Sequence, residues 1–313
     1  MPSRFIVVSL AHSVLRWPII ATGCTMAAAV WLEVTMRPRL GVSTYSFWHF
    51  TPEKTPLDDC LRWARELDLD GVEILHQQML SEDRDYVQGL KRLAFTLGLD
   101  LYALSIHQDF VWPDAEQRAE HVAHTLRCID LAHELGIPAI RLNSGRWGTS
   151  GTFDELMAAR GIETPLPGYT DDDAFRWCID SIEACLPRAE EQGVVLALEN
   201  HWGLTFAPEG VARILDSFDT PWLSFLLDTG NFLDEPYDAL AELAPRACLV
   251  HAKSYYGGGE WYTLDLDYRR IAAILRAVDY QGYVSIEMEG RECASTALPK
   301  AVAELRTAFD GSP

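Results

Sequence analysis

The chain has 313 residues, 48% of them apolar and 11% aromatic, which is material for a sizeable core and excludes a disordered chain. A formal net charge of −20 argues against nucleic acid, whose phosphates demand a basic footprint, and disfavours an anionic membrane surface. Seven scattered cysteines form no close metal-type pairs, and Cys60, Cys128 and Cys178 fall at apolar helix positions. They read as buried thiols of a reducing, cytoplasmic compartment and not as a disulfide framework.

Residues 1–35 do not match the rest of the chain. Residues 17–32 carry no charge and come after Arg4 and Arg16. That run is short for a membrane span but compatible with a signal-like segment. The competing reading is an appended or mis-started leader, with Met36 just ahead of the first strand.

From residue 36 to 313, strand and helix signals alternate within one domain. Residues 40–44 read as a strand, and Pro56 opens a helix over 57–67 with Leu57, Leu61, Ala64 and Leu67 at helical spacing. A strand over 71–75, a helix over 86–97, a strand over 101–106 and a long helix over 115–135 come next, then a strand over 139–142. Residues 143–173, rich in Gly, Thr and Pro, interrupt the rhythm; connections of that length commonly serve as lids or substrate loops. The alternation resumes with helices over 174–191, 208–217, 237–243, 268–278 and 295–309 and strands over 194–198, 223–227, 248–250 and 283–286. Eight strands alternating with eight helices, the strands continuously apolar, predict a single-domain α/β fold, the closed parallel (β/α)8 TIM barrel. An open doubly wound sheet would call for a glycine fingerprint after the first strand, and none is present.

The last four strands each end on a residue that can hold a divalent metal: Glu199, Asp228, His251 and Glu287. Sites of parallel barrels lie at the carboxyl ends of the strands, so four such residues at successive strand ends converge on one point. Three carboxylates and one imidazole make a hard, oxygen-rich site for one divalent ion, with Mn²⁺, Mg²⁺ or Co²⁺ favoured and Zn²⁺ admitted by ligand type.

The words around these residues carry a resemblance. Leu198-Glu199-Asn200-His201, Leu227-Asp228-Thr229-Gly230-Asn231, Val250-His251-Ala252-Lys253 and Ile286-Glu287-Met288-Glu289 resemble the sugar phosphate isomerase/epimerase family, with its xylose isomerase-like barrel. The resemblance spans residues 39–309. It implies that Glu199, Asp228, His251 and Glu287 hold one divalent metal, manganese foremost, and that Glu199 and Glu287 act as the acid–base pair. Where many members read His-x-Lys-Asp, this chain has His251-Ala252-Lys253-Ser254, which removes a carboxylate from the surroundings of the site.

A metal polarising the carbonyl of a hydroxy-ketone acidifies the adjacent C–H, and a carboxylate can then remove that proton to leave an enediolate. The leading expectation is therefore a metal-dependent sugar isomerase or epimerase. A lyase on a keto-sugar or keto-glycoside is the alternative; an abasic-site endonuclease and a non-catalytic carbohydrate-binding barrel rank below it. His107 at the end of strand three, His201, Lys253, Glu73 within strand two, and Arg141 and Asn143 around the end of strand four are candidate substrate contacts. Trp147 and Trp202 join them among the aromatic residues of the loops, since sugar rings stack on such side chains. The run Gly257-Gly258-Gly259 lacks a lysine or helix start for a phosphate and reads as a flexible loop. The expected partner is a small carbohydrate or glycoside, with no membrane partner; a homo-oligomer is compatible with the sequence.

Overall fold

Parallel strands buried on both faces read as short apolar runs, and eight such strands close the sheet of this chain. The structure, a computed structural model, describes residues 37–310; the expected leader at 1–35 lies outside them. In chain order the elements are β1 (Arg39–Ser43), α1 (Tyr45–Trp48), α2 (Leu57–Glu66), β2 (Gly71–Leu75), α3 (Arg84–Leu97), β3 (Asp100–Ser105), α4 (Ala115–Leu135) and β4 (Ala139–Leu142). Then come α5 (Phe153–Ala158), α6 (Asp171–Gln192), β5 (Val195–Glu199), α7 (Pro208–Leu215), β6 (Leu223–Asp228), α8 (Pro236–Leu243), β7 (Ala247–Ser254), α9 (Tyr268–Ala277), β8 (Tyr283–Met288) and α10 (Ala294–Asp310). Each strand pairs with the next, and β8 pairs with β1, which closes an eight-stranded parallel (β/α)8 barrel. Among the described residues no helix is long and apolar enough to cross a membrane.

Four elements depart from the periodicity reading, the first being α1, a single turn directly after β1 where the periodicity predicts no helix. Segment 143–173 contains the short helix α5, whose Thr152 cap accepts a hydrogen bond from the Glu155 amide at 3.1 Å. Helix α6 starts at Asp171, because Thr170 donates its amide to Asp173 at 3.0 Å and the acidic first turn suits the helix N-terminus. Strand β7 runs on to Ser254, paired with Met288, although its apolar run stops at Val250.

Side-chain alternation divides the barrel into two cores. Outward-facing Val42, Ile74, Leu104, Ile140, Leu198, Phe225, Val250 and Ile286 pack against the helices. Inside, Ala197, Leu226 and Leu249 each stand two residues before a candidate ligand. With Tyr102, Ala103 and Tyr283 they form a separate buried cluster that floors the site. Tyr102 and Tyr283 stack there with ring centroids 3.9 Å apart. Gly41 in β1 leaves the room for this pair, since a Cβ at that position would collide with the Tyr102 ring. We therefore expect Gly41→Ala to cost about 1–3 kcal/mol through overpacking, seen as a lower urea midpoint at unchanged m-value. An unshifted midpoint would contradict this packing.

Candidate metal centre

Strand register brings the four candidate ligands together. Asp228 pairs with His251 across β6 and β7, and Lys253 with Glu287 across β7 and β8. Glu199 and Asp228 are the last residues of β5 and β6. Ligand atoms of Glu199, Asp228, His251 and Glu287 all lie within 4.8 Å of one another, and all four residues are buried.

His251 is the hinge of the arrangement. Its Nε2 meets both Glu73 oxygens at 2.9 and 3.0 Å. Its Nδ1 faces Glu199 Oε1 at 3.1 Å, Glu287 Oε2 at 3.5 Å and Asp228 Oδ2 at 3.6 Å. With Nε2–H donated to Glu73, Nδ1 is turned toward the three carboxylates, as in carboxylate–histidine–metal arrangements. Glu73 is itself held: Ser285 Oγ donates to its Oε2 at 2.7 Å, Ser105 Oγ donates to its Oε1, and Tyr102 donates to Ser285 at 2.7 Å. A hydrogen-bonded column thus rises from the floor of the barrel to the ligands.

The other candidate ligands are oriented as firmly. Arg141 Nη1 donates to Glu199 Oε2 at 2.9 Å, and its Nη2 donates to the Ile106 carbonyl at 2.9 Å and approaches His107 Nε2 at 3.3 Å. Asp228 Oδ1 accepts the Gly230 amide at 2.8 Å, which leaves Oδ2 for the cluster. Asn200 ties the ends of β5 and β6 together, donating to the Asp228 carbonyl at 2.9 Å and accepting its amide at 2.7 Å.

Negative charge exceeds what the neighbours neutralise. Burial, with Glu199 and Glu287 adding to it, pushes the Asp228 carboxyl up to about 7 even though Lys253 pulls the other way. Burial opposes ionisation of Glu199 and Glu287 too. In Glu199 it is overcome by Arg141 and then His251, which hold the carboxyl well below its usual range; in Glu287, Lys253 and His251 bring it to about 2. Burial lowers the His251 imidazole, but Glu73 and Glu287 overcome this and hold it well above its ordinary value. Asp228 Oδ2 and Glu287 Oε2 are buried without a hydrogen-bond donor, although Lys253 Nζ lies 3.4 and 2.7 Å from them. Orphaned carboxylate oxygens and surplus negative charge fit a hard divalent cation, which would take the place of the proton on Nδ1 of His251.

Not every residue singled out from the sequence faces the pocket. Glu73 is fully buried beneath His251, with both carboxylate oxygens on its Nε2. Arg141, 5% exposed, spends its donors on Glu199 and the β3 end. Asn143 is buried, with its backbone carbonyl accepting from Gln108 and its side-chain Oδ1 left without a hydrogen-bond donor. Trp147 is buried against Trp177 and donates to Asp171 at 3.0 Å. Trp202 is buried with Leu156 and Met157 and anchors segment 143–173 over β5. Exposed aromatic surface after the strand ends belongs instead to Phe50, Phe153, Tyr169, Phe206 and Trp261.

His107 and His201 remain partly exposed beside the cluster. Burial, reinforced by Arg141, pushes His107 down to about 3, and burial takes His201 to about 4 despite Glu199, so both are neutral near pH 7. Lys253 reaches Glu287, Asp228 and Glu289, and Glu289 at the end of β8 supplies a carboxylate to the lysine although Ser254 follows it. The glycine run is pinned: Gly259 bridges Gly290, and its amide donates to Thr263 at 2.8 Å. Ser105, Ser285 and Glu289 escaped the sequence reading. Ser285 had a legible signal, a polar residue two before Glu287 inside an otherwise apolar strand.

Glu73→Gln keeps the volume but weakens acceptance from Nε2–H. Its Mn²⁺ affinity is expected to fall roughly 10–100-fold while circular dichroism stays unchanged. Undiminished affinity would remove Glu73 from this role.

Known proteins share this architecture. No curated protein matches the chain in sequence. The solved structure of 3-keto-D-glucoside 4-epimerase YcjR from E. coli superposes with a TM-score of 0.67 at 20% identity, covering 87% of this chain and 100% of that one. D-psicose 3-epimerase from Clostridium cellulolyticum H10, in complex with D-tagatose, gives 0.67 at 17% identity over 87% and 97% of the two chains. An L-ribulose 3-epimerase gives 0.67 at 19% identity over 87% and 95%. At these identities the likeness concerns the fold. The family model of the xylose isomerase-like TIM barrel matches residues 61–309, so the chain belongs to that family.

Proposed function

We propose that the protein is a divalent-metal-dependent isomerase or epimerase of a sugar or keto-sugar, working through an enediolate. The observation that carries this reading is the buried Glu199–Asp228–His251–Glu287 cluster with two orphaned carboxylate oxygens. These four residues would hold the ion, Mn²⁺ foremost. A cation bound there supplies Lewis acidity that polarises a substrate carbonyl and acidifies the adjoining C–H.

Glu287 is the proton acceptor in this proposal. It stays ionised at neutral pH, and its Oε2 receives no hydrogen bond of good geometry. Lys253, at 2.7 Å, neutralises the negative charge around it. Glu199 enters from β5, with β6 and β7 between it and Glu287, and serves as the second acid–base group. Arg141 governs how readily Glu199 carries a proton. Passage of the abstracted proton from Glu287 through the substrate's hydroxyls to Glu199, and its delivery to the opposite face, gives an epimer, whereas return by Glu287 to the neighbouring carbon gives an isomer. His107 and His201, neutral and partly exposed, are the proposed hydrogen-bonding contacts to substrate hydroxyls. Phe50, Phe206 and Trp261 offer the apolar faces on which a sugar ring stacks. The epimerases with the same fold act on carbohydrates by their names, which supports the substrate class.

Free ketoses and 3-keto-glycosides incubated in D₂O with Mn²⁺-loaded protein test the reaction. Exchange of the proton beside the carbonyl, with a new sugar isomer visible by NMR, is expected; elimination in its place would assign a lyase. Glu287→Gln at saturating Mn²⁺ should lower kcat by about 10²–10⁴-fold, and an unchanged kcat would remove the acid–base role. Chelation should abolish turnover and Mn²⁺ restore it; full activity after verified metal depletion would contradict the proposal.

A further inference from the structure

Away from the barrel axis, a second group of potential ligands converges. His76 follows β2 directly, while His124 and Cys128 stand one turn apart on the same face of α4. One donor atom from each lies within 4.8 Å of the other two. Cys128 Sγ is 3.7 Å from His124 Nε2, and the His76 and His124 rings tilt by 50° with centroids 5.4 Å apart. Nitrogen and sulfur donors bound to one tetrahedral zinc at about 2.0 and 2.3 Å stand roughly 3.5 Å apart. The spacing seen between α4 donors already meets that requirement.

Two further features point to a ligand site. Glu82 Oε1 meets His76 Nε2 at 2.7 Å, the carboxylate–imidazole pairing that fixes a coordinating histidine and frees its other nitrogen. The group also borders a cavity of about 550 Å³ lined by His76, Glu82, His124, Lys54 and His107, which leaves room for a water or small ligand in a fourth position. Cys128 is 2% exposed, and no other described cysteine shares this group. The Cys128 thiolate and the Glu82 carboxylate together would balance a dication.

We propose that His76, His124 and Cys128 form a second metal site, selective for Zn²⁺ or another borderline-soft divalent ion, that ties the segment after β2 to α4. Thiolate and imidazole donors favour such ions, whereas the oxygen-rich centre in the barrel favours harder ones, so the two sites would differ in the metal each prefers. On binding, the thiol proton leaves to solvent and Sγ takes its place on the ion. The inference does not depend on the sugar chemistry proposed above.

Cobalt distinguishes the two sites, because a thiolate-to-cobalt charge-transfer band in the near ultraviolet arises only at a site containing cysteine. Metal-depleted full-length protein titrated with Co²⁺ is expected to develop this band. Cys128→Ser should lose it while keeping Mn²⁺ binding and its circular dichroism. A band that never appears, or that persists in Cys128→Ser, overturns the proposal. Zinc-edge X-ray absorption of the unaltered chain, loaded with Zn²⁺ after Mn²⁺ has filled the barrel centre, provides a check free of folding effects. A sulfur neighbour at about 2.3 Å is expected; nitrogen and oxygen neighbours alone would mean a thiol–imidazole contact only.

Discussion

The contact between Glu73 and His251 is the constraint on which the rest of the molecule is arranged. An imidazole has two nitrogens, and which one is available to a cation depends on what the other is doing. Glu73 occupies Nε2, so Nδ1 is delivered to Glu199, Asp228 and Glu287. A buried carboxyl needs partners, and Ser105 and Ser285 supply them, with Tyr102 beneath. That is why the interior of the barrel is not uniformly apolar: its polar residues stack in a column with a purpose at the top.

The same economy governs charge. Removing one member of a buried ionic cluster leaves another uncompensated, typically at several kcal/mol. Arg141 is committed to Glu199, and Lys253 to Asp228, Glu287 and Glu289. The Asp228 carboxyl nevertheless sits near 7, which marks a centre still short of positive charge. A divalent cation meets that shortage and would draw the Asp228 carboxyl down into its ionised form. Preorganisation of this kind would keep donor atoms in place before an ion arrives, the physical basis for tight binding by side chains from separate strands.

Much of this was legible in the order of residues, because a barrel strand writes its burial as a short apolar run and places its last residue at the mouth. Glu199, Asp228, His251 and Glu287 could be located for that reason, and the barrel itself from the alternation of periods. What a strand does not write is which neighbours a polar side chain finds across the barrel. Glu73 and Arg141 sit at inward positions like true pocket residues, and only the packing reveals that their polar atoms point at other side chains. The burial of Trp147 and Trp202 was hidden for a related reason: aromatic residues in loops also seal one loop against another, as Trp202 does against α5. The continuation of β7 past Val250 was hidden because its ladder is carried by backbone hydrogen bonds, to which the polar side chain of Lys253 is indifferent.

Anomalous diffraction from crystals loaded with Mn²⁺ addresses the arrangement as a whole. A single strong peak is predicted at the barrel axis, coordinated by Glu199, Asp228, Glu287 and Nδ1 of His251, with Nε2 still on Glu73. A peak bound elsewhere, or a His251 ring turned so that Nε2 takes the metal, would contradict the account.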